Sequence, residues 1–562
     1  MARPRREKPA PHQAKAPLGA NTAFGTALGR AELTVALLIT ALAAVFHVAV
    51  FQHAGPLWRD EVNSINMARM PSLADIWNNL QFDSFPMVWF LILRAWTAVT
   101  GPANDTALRL LGLVVGLGLL GVLWLCFRRW LKLSLPLVAL VLIGLNPATV
   151  RWGDSLRAWG FGSLTLVLAA GLLWQVAQGP TKWRVVLAAL AAILAVQTLY
   201  HNAFLLFALG AAGMVVAARR RLWRRAGLVA AIGLAAALSL LPYSIPVTRA
   251  AKWNMILGIA PGFAHYWSVF AALLGSAGSF MITAWVALMI VAVIATVVAQ
   301  WPRLSPGLSN ERRDLALFAG LTLVIGLASY AAFIRVLNYG TNPWYYVALA
   351  VLAAVALEAA LGAFLVAPWL RIARLAVAAV LAAACLNGGW NELQTRQTNI
   401  DMIAADLQST ADKNDLILVS SWSSGLTFDR YYHGATPWTT IPPFPENKVH
   451  RSDLVKEFMM QREAVRPNLA AIEKTLRSGH RVWLVGVLPY FQPGQHPSDL
   501  PLPPLPGSGW FAPPYEAMWP AQVGYFLQTH INFNRDVQVK QFGEQISPYE
   551  NTVLEVVQNW HD

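Results

Sequence analysis

Charged residues are scarce in this chain. Only 13% of its 562 residues are Asp, Glu, Lys or Arg, whereas a soluble protein carries about 25%. Hydrophobic residues make up 56% of the sequence. They form repeated stretches of about 17–25 residues with few charges, which is the length that crosses a bilayer core. This composition argues against a soluble globular protein and predicts a polytopic membrane protein.

Cysteine and the common phosphate and metal motifs are also nearly absent. The two cysteines, Cys126 and Cys385, lie far apart in apolar segments, so no disulfide, metal or catalytic role is indicated for them. The C-terminal part contains no glycine-rich phosphate motif and no Cys/His metal spacing. The N-terminus lacks an apolar core followed by a cleavage-like site, so we predict no signal peptide.

Basic residues outnumber acidic ones, giving a net charge of +14. In a soluble protein such an excess would favour nucleic-acid binding. Here the basic residues lie in short loops between apolar stretches, where they orient the chain in the membrane. We therefore expect membrane lipids around this protein and no nucleic-acid partner. The basic clusters are Arg128/Arg129/Lys132, Lys182/Arg184, 219–225, Arg303/Arg312/Arg313 and Arg371/Arg374.

The apolar stretches predict about eleven transmembrane helices. Counted this way, every basic cluster falls on the side of the basic N-terminal tail, which is the positive-inside pattern. The predicted spans are 32–54, 105–127, 133–149, 159–177, 184–200, 203–218, 226–242, 279–300, 315–335, 344–366 and 373–389.

This count predicts three regions. Residues 1–31 form a disordered cytosolic tail, residues 32–390 form an all-α polytopic membrane domain, and residues 391–562 form an external soluble domain. Residues 86–101 are apolar but short, and Arg94 interrupts them. We interpret them as an interfacial helix inside a first external loop at 55–104.

The C-terminal region alternates strand-like and helix-like patterns. Residues 415–421 (DLILVSS) predict a buried strand. Residues 469–479 (LAAIEKTLRSG) predict an amphipathic helix ended by glycine, and a second strand follows. We therefore predict a small α/β domain.

Four acidic residues stand out in the predicted external loops. Asp60 and Glu61 are adjacent and follow the first span directly, Asp83 precedes the interfacial helix, and Asp154 lies in the second external loop. Ionisable residues beside the membrane are costly and point to function. The alternative for the Asp60–Glu61 pair is a solvated loop paired with Arg59, and spacing alone favours the two equally.

The segments that carry these acids are similar to those of a known superfamily. WRDEVNSINMA, FDSFPMVWFLILRAWTAVTG and ALRLLGLVVGLGLLGVLW resemble, in this order, the first external loop and second span of GT-C glycosyltransferases. RWGDSLRAWGFGSL resembles the second external loop of their bacterial branch, which includes aminoarabinose transferases, protein mannosyltransferases and lipid A galacturonosyltransferases.

This resemblance implies a GT-C type fold and transfer of a hexose or pentose from a polyprenyl-phosphate sugar donor to a lipid, glycan or protein acceptor. It implies that Asp60 acts on the acceptor hydroxyl or holds it through a metal, that Glu61 is its usual neighbour, and that Asp154 is the second-loop acid. It also implies a bacterial inner (cytoplasmic) membrane protein whose active site and C-terminal domain face the periplasm.

One departure from the family pattern concerns a metal ion. The family often has Asp-x-His-Pro-Pro before the interfacial helix, where this chain has Asp83-Ser84-Phe85-Pro86-Met87. Because the histidine is missing, the sequence does not decide whether this loop binds a metal ion. Any divalent ion would be held by carboxylates such as Asp60 and Asp154, which favour Mg²⁺ or Mn²⁺.

Elementary chemistry defines the remaining candidates. A carboxylate can take the acceptor proton as an oxocarbenium-like centre is attacked, and the leaving phosphate needs cations or hydrogen-bond donors. Each external cation has an alternative role as a lipid-headgroup contact or a loop ion pair, and a histidine in a turn is more often structural. The donor-phosphate candidates are Arg335, Lys252, Tyr345 and Arg157, and the substrate-lining candidates are Asp83, His201 and Tyr346.

Three other functions remain open on the sequence. A transporter or flippase of lipid-linked sugars would place ionisable residues at mid-membrane, where Glu358 is the candidate. An O-antigen ligase or polymerase would place its key loop late in the chain. A non-catalytic scaffold would use the C-terminal domain to bind a partner.

Overall fold

We analysed a computed structural model of the chain, which describes residues 18–133, 135–254, 261–365, 367–504, 510–537, 543 and 545–562. The first helix begins at Leu18, so the predicted disordered tail is helical over 18–31. Residues 1–17 lie outside the described part of the chain. Ala and Leu are frequent over 18–31 and have high helix propensity, which extends the first span towards the N-terminus.

The described residues up to 393 are mostly helical. The helices are α1 (Leu18–His53), α2 (Arg59–Ala68), α3 (Leu73–Asn79), α4 (Met87–Thr100), α5 (Asp105–Leu125), α6 (Leu137–Gly144), α7 (Pro147–Gly153), α8 (Trp159–Gln178), α9 (Lys182–Thr198), α10 (Asn202–Arg219), α11 (Trp223–Ser239), α12 (Ser244–Asn254), α13 (Phe263–Leu274), α14 (Ser279–Gln300), α15 (Asn310–Leu337), α16 (Val347–Gly362), α17 (Pro368–Gly388) and α18 (Trp390–Leu393).

Nine helical segments of the described chain are long and apolar enough to cross a membrane. They correspond to nine of the predicted spans, and they make this a multi-pass membrane protein. The segments are Gly25–His53, Asp105–Trp130, Trp159–Gln178, Asn202–Arg219, Trp223–Lys252, Ser279–Gln300, Asn310–Leu337, Pro343–Gly362 and Pro368–Gly388.

The two remaining predicted spans differ in form. The predicted span 133–149 is not one continuous helix but α6 and α7, which are separated at Leu145 and Asn146. Pro147 explains the break, because proline lacks an amide hydrogen and disfavours helical backbone in the residue before it. The other span is α9, whose 17 residues lie at the short end of the range for a bilayer crossing.

The helix ends meet in two groups, and one group carries the basic loops. Arg371 and Arg374 bind Glu32 at the start of α1, and Arg374 also binds Glu358 near the end of α16. Arg220 pairs with Asp314 at the start of α15. We call this the basic end. The grouping agrees with the alternation that the positive-inside pattern predicts.

The broken span α6–α7 and the short span α9 also start at the basic end. The backbone amide of Val138 in α6 donates to Glu358 at 2.5 Å. Arg225 binds the carbonyl oxygen of Gln178, which brings the α8–α9 connection to the same end. At the other extreme of α9, Gln197 accepts a hydrogen bond from Tyr243, whose hydroxyl in turn accepts from the amide of Met87 in α4. We call the end that carries α2 and α4 the site end.

Residues 400–560 contain a five-stranded sheet. Strands β1 (Leu416–Ser420), β2 (Trp438–Ile441) and β3 (Val482–Val485) are parallel. Strand β5 (Leu554–Trp560) is antiparallel to β3, and β4 (Ile531–Val537) is antiparallel to β5, which gives the order β2-β1-β3-β5-β4. The predicted α/β domain is confirmed. Its elements are α19 (Ile400–Thr410), β1 (Leu416–Ser420), α20 (Gly425–Tyr431), β2 (Trp438–Ile441), α21 (Ser452–Met459), α22 (Arg466–Arg477), β3 (Val482–Val485), α23 (Pro513–His530), β4 (Ile531–Val537) and β5 (Leu554–Trp560).

The C-terminal domain lies on the site end of the helical domain. The amide of Gln397 donates to the carbonyl oxygen of Ala54 at 2.9 Å. The hydroxyl of Tyr431 accepts from the amide of Leu57 at 2.6 Å. Arg430 forms an ion pair with Asp105 at the start of α5. The first external loop is therefore enclosed between the two domains.

Candidate active site

Helix α2 carries both carboxylates of the Asp60–Glu61 pair, but only one of them is held by strong partners. Glu61 is fully buried and forms two hydrogen bonds with Arg109 of α5, at 3.1 and 2.8 Å. It also accepts from the backbone amide of Leu156 at 2.9 Å. A buried carboxylate is stable only when paired in this way. Glu61 therefore anchors α2 to α5 and the second external loop.

A second buried ion pair fixes the other side of α2. Arg157 binds Asp83 through both guanidinium nitrogens, at 2.9 and 2.8 Å. Asp83 also accepts from Asn63 and Ser64 of α2, at 3.0 and 3.1 Å. Arg157 in turn donates to the carbonyl oxygen of Asp60 at 2.8 Å. The predicted residues Asp83 and Arg157 are thus brought next to Asp60, but they neutralise each other.

The carboxylate of Asp60 is different from the other acids. Its side chain is 19% exposed, and within the described part of the chain no group donates a hydrogen bond to it. Its nearest charged or titratable neighbours are Arg59 Nε at 3.6 Å and His450 Nε2 at 3.9 Å, both measured to Oδ1. Asp60 therefore retains acceptor capacity for a bound molecule.

His450 belongs to the C-terminal domain and was not among the residues predicted from the sequence. Two asparagines of α2 fix its loop: Asn63 accepts from the amide of His450 at 2.9 Å, and Asn66 donates to the carbonyl oxygen of Lys448 at 2.8 Å. Burial lowers the pKa of His450 against the opposing effect of Asp60. The imidazole is therefore neutral near pH 7. No motif marks this residue, because its position depends on docking between domains.

Two tyrosine hydroxyls complete this side of the site. The ring centroids of Tyr339 and Tyr345 lie 6.1 Å apart, and both residues interact electrostatically with Asp60. Burial raises the pKa of Tyr339, so its hydroxyl remains protonated. The ring of Tyr345 lies 5.3 Å from that of Trp159, which begins α8. The predicted residue Tyr345 is thus near Asp60, and Tyr339 is an addition from the structure.

The other predicted cations lie outside the contacts of Asp60. Arg335 is exposed at the end of α15 and lies within electrostatic reach of Tyr266 in α13. Lys252 is exposed at the end of α12, and its carbonyl oxygen lies 3.4 Å from Lys456 Nζ of the C-terminal domain. Neither side chain forms a contact with Asp60 in the described structure.

Three further predicted residues pack elsewhere. Asp154 is buried and bonds to His47 Nδ1 of α1 at 2.7 Å. His201 stacks on Trp159 with ring centroids 5.6 Å apart, and burial lowers its pKa to about 3. Tyr346 is buried, and its hydroxyl lies 2.9 Å from that of Thr341. The site roles of these three residues stay predictions.

The structure does not bring the two possible metal ligands together. Asp154 is occupied by His47 between α1 and α5, away from the partners of Asp60. Phe85, at the position of the family histidine, is buried under the Arg157 guanidinium at 4.3 Å. Among the described residues there is no group of three or more His, Cys, Asp or Glu side chains suited to a metal ion. The possible use of Asp60 and Asp154 as metal ligands stays a prediction.

This arrangement can accept a proton and stabilise negative charge at one place. Asp60 supplies an acceptor, Arg59 supplies a cation whose side chain is 29% exposed, and Tyr339 and Tyr345 supply hydroxyl donors. The buried pairs Glu61–Arg109 and Asp83–Arg157 hold α2 rigidly. Preorganised groups of this kind are what a transfer reaction with a phosphate leaving group requires.

Comparison with known proteins finds similar solved structures but no similar family model or curated protein. No protein-family model matches this sequence, and no curated protein matches it. Similar solved structures include ArnT from Cupriavidus metallidurans bound to undecaprenyl phosphate, with a TM-score of 0.49 and 14% sequence identity over 80% of this chain and 92% of that chain. They also include the same protein in the apo state, with a TM-score of 0.47 and the same identity and coverage.

Proposed function

We propose that this protein is a membrane glycosyltransferase that moves a sugar from a polyprenyl-phosphate donor to a hydroxyl group of an acceptor. The observation that carries this proposal is the contrast among the acids of the site. Glu61 and Asp83 are buried and paired with arginine, whereas the Asp60 carboxylate beside them has no hydrogen-bond donor in the described structure. With Arg59 at 3.6 Å and no hydrogen-bond donor among the described residues, the Asp60 carboxylate keeps the capacity to accept a proton from a bound hydroxyl.

Asp60 is the proposed base. As the acceptor oxygen bonds to the anomeric carbon, its proton passes to the Asp60 carboxylate, and the bond from that carbon to the phosphate oxygen breaks with its electron pair. A base in this position contributes about 10²–10⁴-fold to the rate. Glu61 is not proposed to act chemically, because Arg109 and the amide of Leu156 occupy its oxygens.

The proposed leaving-group stabilisers are Arg59, Tyr339 and Tyr345. Arg59 is proposed because its side chain is partly exposed and its Nε atom lies 3.6 Å from the Asp60 carboxylate. The two tyrosines are proposed because the Tyr339 hydroxyl is protonated, its ring lies 6.1 Å from that of Tyr345, and both residues interact electrostatically with Asp60. The exposed Arg335 and Lys252 lie further out on the site end, where they are placed to attract an anionic lipid headgroup before it reaches Asp60.

The proposed orientation puts the site end outside. The basic loops gather at the opposite end, and basic loops face the cytosol. In a bacterial inner membrane the site and the C-terminal domain would then face the periplasm. A polyprenyl tail dissolves in the bilayer and presents its phosphate at headgroup depth, so this donor suits a site at the membrane surface.

The transporter alternative rested on Glu358, and the contacts of this residue indicate a structural role. Glu358 is buried at the basic end and accepts from the amides of Val138 and Ala139, at 2.5 and 2.9 Å, while pairing with Arg374. It therefore caps the start of α6, which is a structural task that helix N-termini commonly give to carboxylates. No observation favours transport over group transfer.

Donor choice tests the proposed function. Purified full-length protein should transfer labelled sugar from a polyprenyl-phosphate sugar to an extract of envelope lipids and glycans, without other enzymes. It should not use nucleotide sugars, because these are made in the cytosol and the site end would face outward. Efficient transfer from a nucleotide sugar, or no transfer from polyprenyl-phosphate sugars that carry hexoses or pentoses, would contradict the proposal.

A further inference from the structure

The C-terminal domain presents an aromatic and carboxylate cluster beside Asp60 that the proposed chemistry has not used. Its members are His450, which lies 3.9 Å from Asp60, and Trp422 and Glu516, which extend the cluster away from the helical domain. The rings of Trp422 and His450 are perpendicular, with centroids 6.1 Å apart. The cluster is therefore continuous with Asp60 across the interface between the two domains.

Trp422 is held in a fixed orientation. One side of its ring stacks on Phe444, with centroids 5.2 Å apart and an interplanar angle of 14°. Its indole nitrogen donates to Glu516 at 2.8 Å. The residue is only half-buried, so part of this large apolar surface is kept in contact with solvent. A rigid, partly exposed tryptophan with a polar edge is typical of a binding surface.

Glu516 links this surface electrostatically to the reacting centre. It interacts with Arg59, and Tyr339 feels the charges of Glu516, Asp60 and Arg59 together. Only one of its carboxylate oxygens bonds to Trp422, so the other can accept a hydrogen bond. The cluster thus offers one apolar face, that of Trp422, and two hydrogen-bonding groups, namely the carboxylate of Glu516 and the imidazole of His450.

A carbohydrate has the matching chemistry. One face of a pyranose ring carries C–H groups that pack on an aromatic ring, and its edge carries hydroxyls that bond to carboxylate, imidazole and guanidinium groups. The other substrate reaches the site from the bilayer, whereas this cluster belongs to the soluble domain. The acceptor is therefore the substrate that would meet it.

We propose that Trp422, His450 and Glu516 form an acceptor subsite that binds a sugar residue and directs one of its hydroxyls towards Asp60. This rests on the proposed function. The hydroxyl proton passes to Asp60 as the new glycosidic bond forms, and the donor phosphate leaves with the electron pair of the broken bond. The acceptor is accordingly a glycan, or a glycolipid presenting its sugar, rather than a protein side chain.

Saturation-transfer NMR on the full-length protein in lipid nanodiscs tests this subsite without catalysis. The probes are the methyl glycosides of glucose, galactose, mannose and N-acetylglucosamine. We expect the wild type to transfer saturation to at least one probe, and Trp422→Ala to reduce that signal by about tenfold. Trp560→Ala is the matched control, because Trp560 is also a half-buried tryptophan stacked on an aromatic ring, that of His530, in the same domain.

Two further variants separate binding from folding. Trp422→Phe keeps an aromatic ring against Phe444 but loses the hydrogen bond to Glu516, and Glu516→Gln keeps its shape but loses its charge. Both should raise the acceptor KM by several-fold, leave the donor KM unchanged and retain the wild-type melting temperature. A shift in donor KM alone would overturn the assignment to the acceptor.

The outcomes also separate this proposal from the proposed function. Absence of saturation transfer to every probe in the wild type, or a full signal in Trp422→Ala, overturns the subsite. Loss of the signal in Trp422→Ala but not in Trp560→Ala supports the subsite even if polyprenyl-phosphate sugars prove not to be donors. In that case the proposed function would fail and the sugar-binding surface would stand.

Discussion

At the residue scale, the acids that look alike in the sequence have different roles because their partners differ. Asp60 and Glu61 are adjacent, yet Glu61 points to Arg109 and is fully buried, while Asp60 lies at the domain interface. Successive residues of a helix face directions about 100° apart, so neighbours in sequence rarely share an environment. The sequence could select the pair, but it could not distinguish the buried anchor Glu61 from the partly exposed carboxylate of Asp60.

Glu550 provides a residue-scale prediction about pH. It accepts hydrogen bonds from the Arg59 amide at 3.3 Å and the Thr427 hydroxyl at 2.9 Å. Burial raises its pKa from an ordinary value of about 4.5 to about 8. The folded state therefore holds this proton more tightly than the unfolded state, so the contribution to stability is complete below about pH 4.5 and is lost as the pH rises through about 8.

Glu550→Gln, which resembles the protonated acid, should therefore gain stability relative to the wild type as the pH increases. We expect similar melting temperatures for the two proteins near pH 5 and a higher one for the variant near pH 9. Differential scanning fluorimetry in detergent measures this directly. A difference that does not change with pH would show that Glu550 keeps its ordinary pKa.

At the element scale, α2 is the part of the fold that makes the site. Glu61 and Asp83 anchor its two sides, Arg94 of α4 binds the carbonyl oxygen of Met70 just beyond its end at 2.6 Å, and Glu550 binds the amide at its start. A cation at the end of a helix complements the helix dipole, and an acceptor such as Glu550 at its beginning satisfies a backbone amide that has no partner within the helix. The arginine that interrupts the apolar α4 therefore has a structural explanation.

Breaking one anchor of α2 should cost much stability. Arg109→Leu leaves the Glu61 carboxylate buried without its cation, which typically costs about 3–5 kcal/mol. The double variant Glu61→Leu/Arg109→Leu removes both charges and should recover much of the melting temperature, because apolar replacement of a buried pair is often nearly neutral. A double variant as unstable as the single one would contradict the anchoring role.

The helices themselves were largely predictable, because nine segments of the described chain are long and apolar enough to be recognised as spans from the sequence. The break at Leu145–Asn146 was also within reach, since Pro147 marks it. What the sequence could not provide is the contact between elements. The approach of His450 to Asp60 depends on Asn63 and Asn66 docking a loop nearly four hundred residues away, and no local pattern encodes that distance.

At the scale of the whole molecule, the two ends of the helical domain differ in chemistry. Basic loops and their acidic partners gather at one end, and the α/β domain covers the other. The overall architecture followed from composition and the positive-inside pattern. The closure of the site by the C-terminal domain did not, because a soluble domain can attach to either a distant or a nearby part of the membrane surface.

The topology can be tested with fused reporters. Reporters placed after residue 225 or 310 should show cytosolic location, because these positions lie in the first turns of α11 and α15, at the basic end. A reporter placed after residue 400 should show an exterior location. An exterior signal at 225 would contradict the alternation of spans and the outward orientation of Asp60.

The most direct test of the central claim is the rate of sugar transfer from a polyprenyl-phosphate donor in the Asp60→Asn variant. The amide keeps the shape of the side chain but cannot take the acceptor proton, so the single-turnover rate should fall by about 10²–10⁴-fold at an unchanged melting temperature. Asp154→Asn is the matched control: its carboxylate is bonded to His47, so its single-turnover rate should stay close to the wild-type value. Near-normal transfer by Asp60→Asn, or an equal loss in Asp154→Asn without loss of fold, would contradict the account.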